Sequence, residues 1–89
     1  MRDILKRVSN LLFLPPEAVA GVFRLELIGA EELYLENHKG ILEYSDTEVV
    51  LHGGDRILRI CGKHLSLCTM TDSEVLLRGE FEQISFAAV

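Results

Sequence analysis

Apolar positions change their spacing at about Val22, and that change divides the chain. Before it, Ile4, Leu5, Val8, Leu11 and Leu12 recur at helical spacing. Asp3 is suited to cap or open that helix, and Pro15-Pro16 ends it, because proline lacks the amide donor and biases Leu14 away from helical dihedrals. The spacing predicts an amphipathic N-terminal helix over residues 1–14, with a single turn from Pro16 to Val19 closed by Gly21. Such a helix covers a sheet with its apolar stripe. The competing reading lays Arg2, Lys6 and Arg7 against lipid headgroups.

After Val22 the period is two. Phe23, Leu25 and Leu27 alternate with Arg24 and Glu26 up to Gly29, and Leu33 and Leu35 alternate with Tyr34 and Glu36. The polar turn Asn37–Gly40 precedes Ile41–Tyr44. Then come Val49–Leu51, Ile57–Cys61, Leu65–Cys68, Val75–Leu77 and Phe81–Phe86, with glycine or aspartate-rich turns between. Connections this short join antiparallel neighbours. The expected fold is mainly β: a small antiparallel meander of about six to eight short strands over residues 22–86, curled or rolled, preceded by the helix. The whole chain, 1–89, reads as one domain.

One nine-residue phrase is written twice. Ser45–Gly53 is SDTEVVLHG and Thr71–Gly79 is TDSEVLLRG. Aspartate, glutamate, valine, leucine and glycine recur in place, the signature of a reused β unit. Val49 and Leu51 are therefore expected to pack as Val75 and Leu77 do.

Composition alters the picture in two ways. At 89 residues, 48% hydrophobic and mean hydropathy +0.22, the chain has more apolar side chain than a small interior hides. Several strands are apolar on both faces: Val50 opposes Val49 and Leu51, Leu58 and Ile60 oppose Ile57 and Cys61, and Leu76 opposes Val75 and Leu77. A two-sided apolar strand must be covered on both sides; the N-terminal helix or a sheet rolled on itself would cover part of it, and self-association into a homo-oligomer is expected. The charge is −5 and uneven: residues 1–21 carry +1, and residues 22–89 carry six bases against twelve acids. An acidic body disfavours nucleic acid as a partner. No apolar run is long enough for a membrane-spanning helix, and no signal-peptide pattern opens the chain, so a cytoplasmic location with reduced thiols is expected.

Candidate chemistry is sparse. Cys61, His64 and Cys68 form C-x2-H-x3-C, a ligand set suited to zinc, with His52 or His38 as a fourth donor. Both cysteines also continue apolar strand runs, where a thiol acts as a small hydrophobe, and that reading is preferred. No metal or other cofactor is expected. Cys61 beside His64 or His52 lacks an orienting third group for nucleophilic catalysis. Glu26, Glu36, Glu43, Glu48 and Glu74 sit at alternating or turn positions that suit a solvated face better than paired-carboxylate catalysis. The chain is read as a non-enzyme without a small-molecule substrate. The most distinctive turn is Asn37-His38-Lys39-Gly40. Asn37 and Gly40 are expected to set its geometry, and His38 and Lys39 to project as partner-binding tips.

The segment LELIGAEELYLENHKGILEY (Leu25–Tyr44), with its glycine and its Glu36-Asn37-His38-x-Gly40 signature, resembles the YabP/YqfC sporulation family, YqfC-type members above all. ILRICGKHLSL (Ile57–Leu67) and EVLLRGEFEQISF (Glu74–Phe86) resemble the rest of that domain, and the N-terminal helix before Leu14-Pro15 is similar in kind. The resemblance implies a role in endospore development through protein contacts. It also implies a mother-cell cytoplasmic setting, at a membrane surface where the partner is a membrane-bound sporulation protein. It supplies no enzymatic residues. The alternative is a small-ligand or metal-binding regulator built on Cys61, His64 and Cys68.

Overall fold

A computed structural model describes residues 22–89, and the helix expected over 1–14 lies outside them. The described residues form six strands: β1 (Arg24–Ile28), β2 (Glu32–Glu36), β3 (Ile41–Tyr44), β4 (Glu48–His52), β5 (Arg56–Met70) and β6 (Glu74–Ala88). All pairings are antiparallel, in one open sheet of order β1-β2-β6-β5-β4-β3.

Two features depart from the expected meander. The first is strand length: six strands fall within the expected six to eight, but two of them are long. Ile57–Cys61 and Leu65–Cys68 are halves of one 15-residue strand, as are Val75–Leu77 and Phe81–Phe86. Gly62 and Gly79 do not end these strands; they bend them. A Cβ on Gly62 would collide with the Glu80 carbonyl oxygen, and one on Gly79 would lie 2.8 Å from a Leu65 methyl and 2.9 Å from the His64 carbonyl oxygen. The register shifts between Cys61 and Gly62 and again between Lys63 and Ser66, as bulges do where paired strands turn a corner. His64 sits at that corner with φ 54°, and histidine tolerates this region better than most residues.

The second is topology. Strands β3 to β6 are a true meander, but the β1–β2 hairpin adds to the far side of β6, with Leu33 opposite Leu77 and Leu35 opposite Val75. The Asn37–Gly40 segment is therefore a crossing loop and not a hairpin turn.

The bend gathers the core. Leu33 and Leu35 of β2 lie with Val75 and Leu77 at one end of the β5–β6 hairpin, and Val49 and Leu51 of β4 with Leu58 and Ile60 at the other. All eight are fully buried and join Leu65, at the corner, in one cluster. A flat sheet would hold the two groups apart. Two turns brace the corner from opposite sides. The β1–β2 turn accepts Gly79 N–H on Glu31 O and Phe81 N–H on Ala30 O, both at 3.0 Å. The β3–β4 turn accepts Gly62 N–H on Thr47 O at 3.0 Å and Leu65 N–H on Asp46 O at 2.8 Å.

The repeated phrase is a repeated structure. Ser45 Oγ accepts the Glu48 N–H at 3.0 Å, and Thr71 Oγ1 accepts the Glu74 N–H at the same distance. Ser45 N–H and Thr71 N–H each donate at 2.8 Å to the carbonyl of that same glutamate. Val49 and Leu51 point inward as Val75 and Leu77 do, all fully buried. The copies part company at glycine: Gly53 lies in the β4–β5 turn, whereas Gly79 bends a strand.

Val50 points away from Val49 and Leu51 along β4. It lies between Glu43 and Arg59 across the strands and is nonetheless buried. Arg59 bonds Glu48 at 2.7 Å.

Candidate functional site

The crossing loop is fastened at every residue. Asn37 has φ 66°, the left-handed region that asparagine tolerates. Its N–H donates to Ser73 O at 2.6 Å, and its Nδ2 donates to Val22 O at 2.9 Å. Lys39 N–H donates to His52 O at 2.7 Å, and His52 N–H to Gly40 O at 2.9 Å. Gly40 has φ 130°, open to glycine and strained for other residues. The loop thus ties the start of the described chain, the end of β4 and the β5–β6 turn together.

His38 is the pin of this arrangement. The Gly40 N–H donates to its Nδ1 at 2.9 Å, so the ring proton resides on Nε2, which donates to Thr71 O at 3.0 Å. The residue is 3% exposed. The expectation that His38 projects as a solvated tip is therefore corrected: its ring is turned inward because two backbone groups of the crossing loop and the β5–β6 turn need it. Lys39 is exposed, as expected. His52 repeats the local bond, accepting Gly54 N–H on Nδ1 at 3.0 Å.

An open cleft lies between this loop and the β5–β6 turn. Asn37 to Gly40 form one wall, and Met70 to Ser73 the other. Met70 and Asp72 are exposed on the second wall, facing a first wall that offers Lys39. The cleft combines one cation, one carboxylate, a soft thioether and hydroxyl groups on a rigid frame. That chemistry suits adhesion to an extended polypeptide or a protein loop, with complementary charges setting orientation. The second wall was missed from sequence, because its Thr71-Asp72-Ser73 turn is 30 or more residues from the first; the doubled phrase marked the turn but not its neighbour.

The thiols are arranged for something else. Among the described residues no group of three or more histidine, cysteine or acidic side chains is positioned to hold a metal ion, so Cys61, His64 and Cys68 are not brought together as a ligand set. Cys68 is exposed beside a register shift in β5. Cys61 is half-buried, with its Sγ 3.7 Å from Glu48 Oε2. Burial, and then the Glu48 carboxylate, push its thiol above the usual range, the opposite of what a thiolate nucleophile requires. The Glu48 carboxyl is held low, chiefly by its bond to Arg59. Of the other acidic candidates, Glu36 pairs with Arg24 at 3.5 Å, and Glu36 and Glu74 flank Tyr34. Burial first, then the Glu74 and Glu36 carboxylates, push the Tyr34 phenol up to about 12.

No solved structure matches the chain. An uncharacterized protein, YqfC, of Bacillus subtilis strain 168 is 28% identical over 79 residues, 89% of this chain and 85% of that protein. The YabP family model matches residues 20–89, a span that takes in all six strands, the bend and the Asn37–Gly40 loop. On that match the chain belongs to the YabP family.

Proposed function

We propose that this chain acts in endospore development as a non-catalytic contact module, and that the Lys39–Asp72 cleft is where it holds another sporulation protein. The observation that carries the reading is the contrast within the crossing loop. Asn37, His38 and Gly40 spend their polar groups on the fold, leaving Lys39 as the outward-facing charge on a fixed frame. Rigid display of a few outward groups serves recognition. The setting is the mother-cell cytoplasm, with the partner a membrane-bound sporulation protein whose soluble part reaches the cleft. The family membership and the likeness to YqfC support a sporulation role.

The test is complementation in a spore-forming host deleted for its own copy. Deletion is expected to lower the yield of heat-resistant spores, and the unaltered chain to restore it. Lys39→Glu and Asp72→Lys should each fail to restore it while showing unchanged thermal unfolding. Full restoration by both variants would remove the cleft from the mechanism. Normal spore yield in the deletion strain would remove the sporulation role itself.

A further inference from the structure

We propose that two copies of this chain join edge to edge through the C-terminal half of β6, antiparallel about a two-fold axis at Ser85. The inference is independent of the cleft.

A sheet edge is a row of unpaired amides and carbonyls, and folded proteins protect such rows with charge, bulges, brevity or a covering group. Among the described residues the sheet has four open edges, and three are protected. β1 has five residues and carries Arg24 and Glu26, with Arg24 bridged to Glu36. β3 has four residues and a register shift between Ile41 and Glu43. The C-terminal half of β5 has a shift between Leu67 and Thr69, and its Leu67 N–H is already bonded to the Tyr44 hydroxyl at 2.9 Å. The fourth edge is β6 beyond its pairing with β2, which ends at Arg78, and beyond Phe81 N–H, which bonds Ala30 O. From Gln83 to Val89 it reads QISFAAV, with no charge, proline or glycine, and its pairing to β5 is regular from Gln83 to Ala88. Phe86 is 56% exposed and Val89 70%. Val22 is also exposed, and the neighbouring Phe23 stacks on Phe86 with ring centroids 6.0 Å apart, so the apolar strip continues beyond the strand.

The occupant argued for is a second copy, on charge and on register. The chain is acidic overall, so a partner carrying the same charge must meet it where there is none. A two-fold axis at Ser85 sets Ile84 opposite Phe86 of the partner, and Phe86 opposite the partner's Ile84. Aromatic and β-branched side chains pair well across strands. Ile84 and Phe86 lie two apart, so their backbone groups share one direction, as a directly opposed pair requires. Ser85 meets its own copy, a hydroxyl pair. Glu82 falls opposite the partner's Ala88, so the acids that precede the strip stay away from one another. An isologous contact of this kind closes as a dimer.

The test uses the full chain. Light scattering in the micromolar range should give twice the 10.0 kDa chain mass. Phe86→Lys should return it to single mass with an unchanged far-UV spectrum. The register is tested by Ser85→Cys in a Cys61→Ala/Cys68→Ala background. Directly opposite residues lie about 4.5–5.5 Å apart, within disulfide reach. Mild oxidation should therefore cross-link most chains through position 85, and few through Leu42→Cys on β3 in the same background. Single mass at every concentration overturns the proposal. So does a dimer that survives Phe86→Lys, or one cross-linked through position 42 and not 85.

Discussion

At His38 the imidazole gives both ring nitrogens to the fold, whereas Lys39, one residue on, gives only its backbone. Side-chain substitutions should separate the two. His38→Ala would leave the Gly40 N–H and the Thr71 carbonyl without their partner at the wall of the cleft. Each such bond contributes about 0.5–1.5 kcal/mol, about 1–3 kcal/mol for the two together. Chemical denaturation should show a loss in that range, with Lys39→Ala within about 0.5 kcal/mol of the parent. The Glu-Asn-His-x-Gly signature was visible in sequence, and so were the special backbone positions at Asn37 and Gly40. The inward turn of His38 was not, because its acceptor is on Thr71, 33 residues away, and a histidine among polar neighbours reads as solvated. Tyr34 supports a pH prediction of definite sign. Its folded pKa is raised from 10.0 to about 12, so the native state holds the phenolic proton more tightly than the unfolded chain. The stability so contributed is complete below pH 10 and is lost as pH rises towards 12. Tyr34→Phe should flatten that alkaline limb in urea midpoints measured across the range.

At the scale of elements, the alternation of apolar side chains placed nearly every strand and its inward face. Leu33, Leu35, Leu58 and Ile60 are all buried, and the doubled phrase carries matched pairs at Val49/Leu51 and Val75/Leu77. Leu51→Ala and Leu77→Ala are expected to destabilise alike, by about 2–5 kcal/mol each, since both empty a site in the same cluster. Unequal losses measured by equilibrium unfolding would mean that the copies do not share a packing role. What sequence concealed was the meaning of Gly62 and Gly79. A glycine between two β-favouring runs looks the same whether the chain turns back or the strand bends, and only the neighbouring strand decides. Substitution distinguishes the cases now. Gly62→Ala drives a methyl into the Glu80 carbonyl and should unfold the corner, whereas Gly54→Ala meets open space and bears only the strain of φ 96°. That strain amounts to about 1–2 kcal/mol. Thermal unfolding should rank Gly62→Ala far below Gly54→Ala.

At the scale of the whole molecule, β5 and β6 are the spine. They pair with each other along nearly their full length, β4 joins one end and β2 the other, and β1 and β3 hang from those. The β2–β6 pairing could not be read from sequence, because it joins segments some 40 residues apart with no local signal; short turns argued for sequential neighbours, and the crossing loop broke that rule. The topology predicts a graded hydrogen-exchange pattern. Amides in the β5–β6 ladder, at Ile57–Ile60 and Val75–Leu77, should open only with global unfolding, while those of β3 should exchange by local fraying. The C-terminal half of β6 is the informative exception. Its amides alternate between β5 and the open edge, so in a lone chain every second one from Gln83 to Ala88 should exchange quickly although the strand is central in the sheet. Edge-to-edge pairing would bury those same amides. Their protection should then rise with protein concentration while that of the β3 amides does not change, and Phe86→Lys should abolish the rise. Fast exchange at every concentration would mean that the edge is bare in solution, and would count against the dimer whatever the mass measured by scattering.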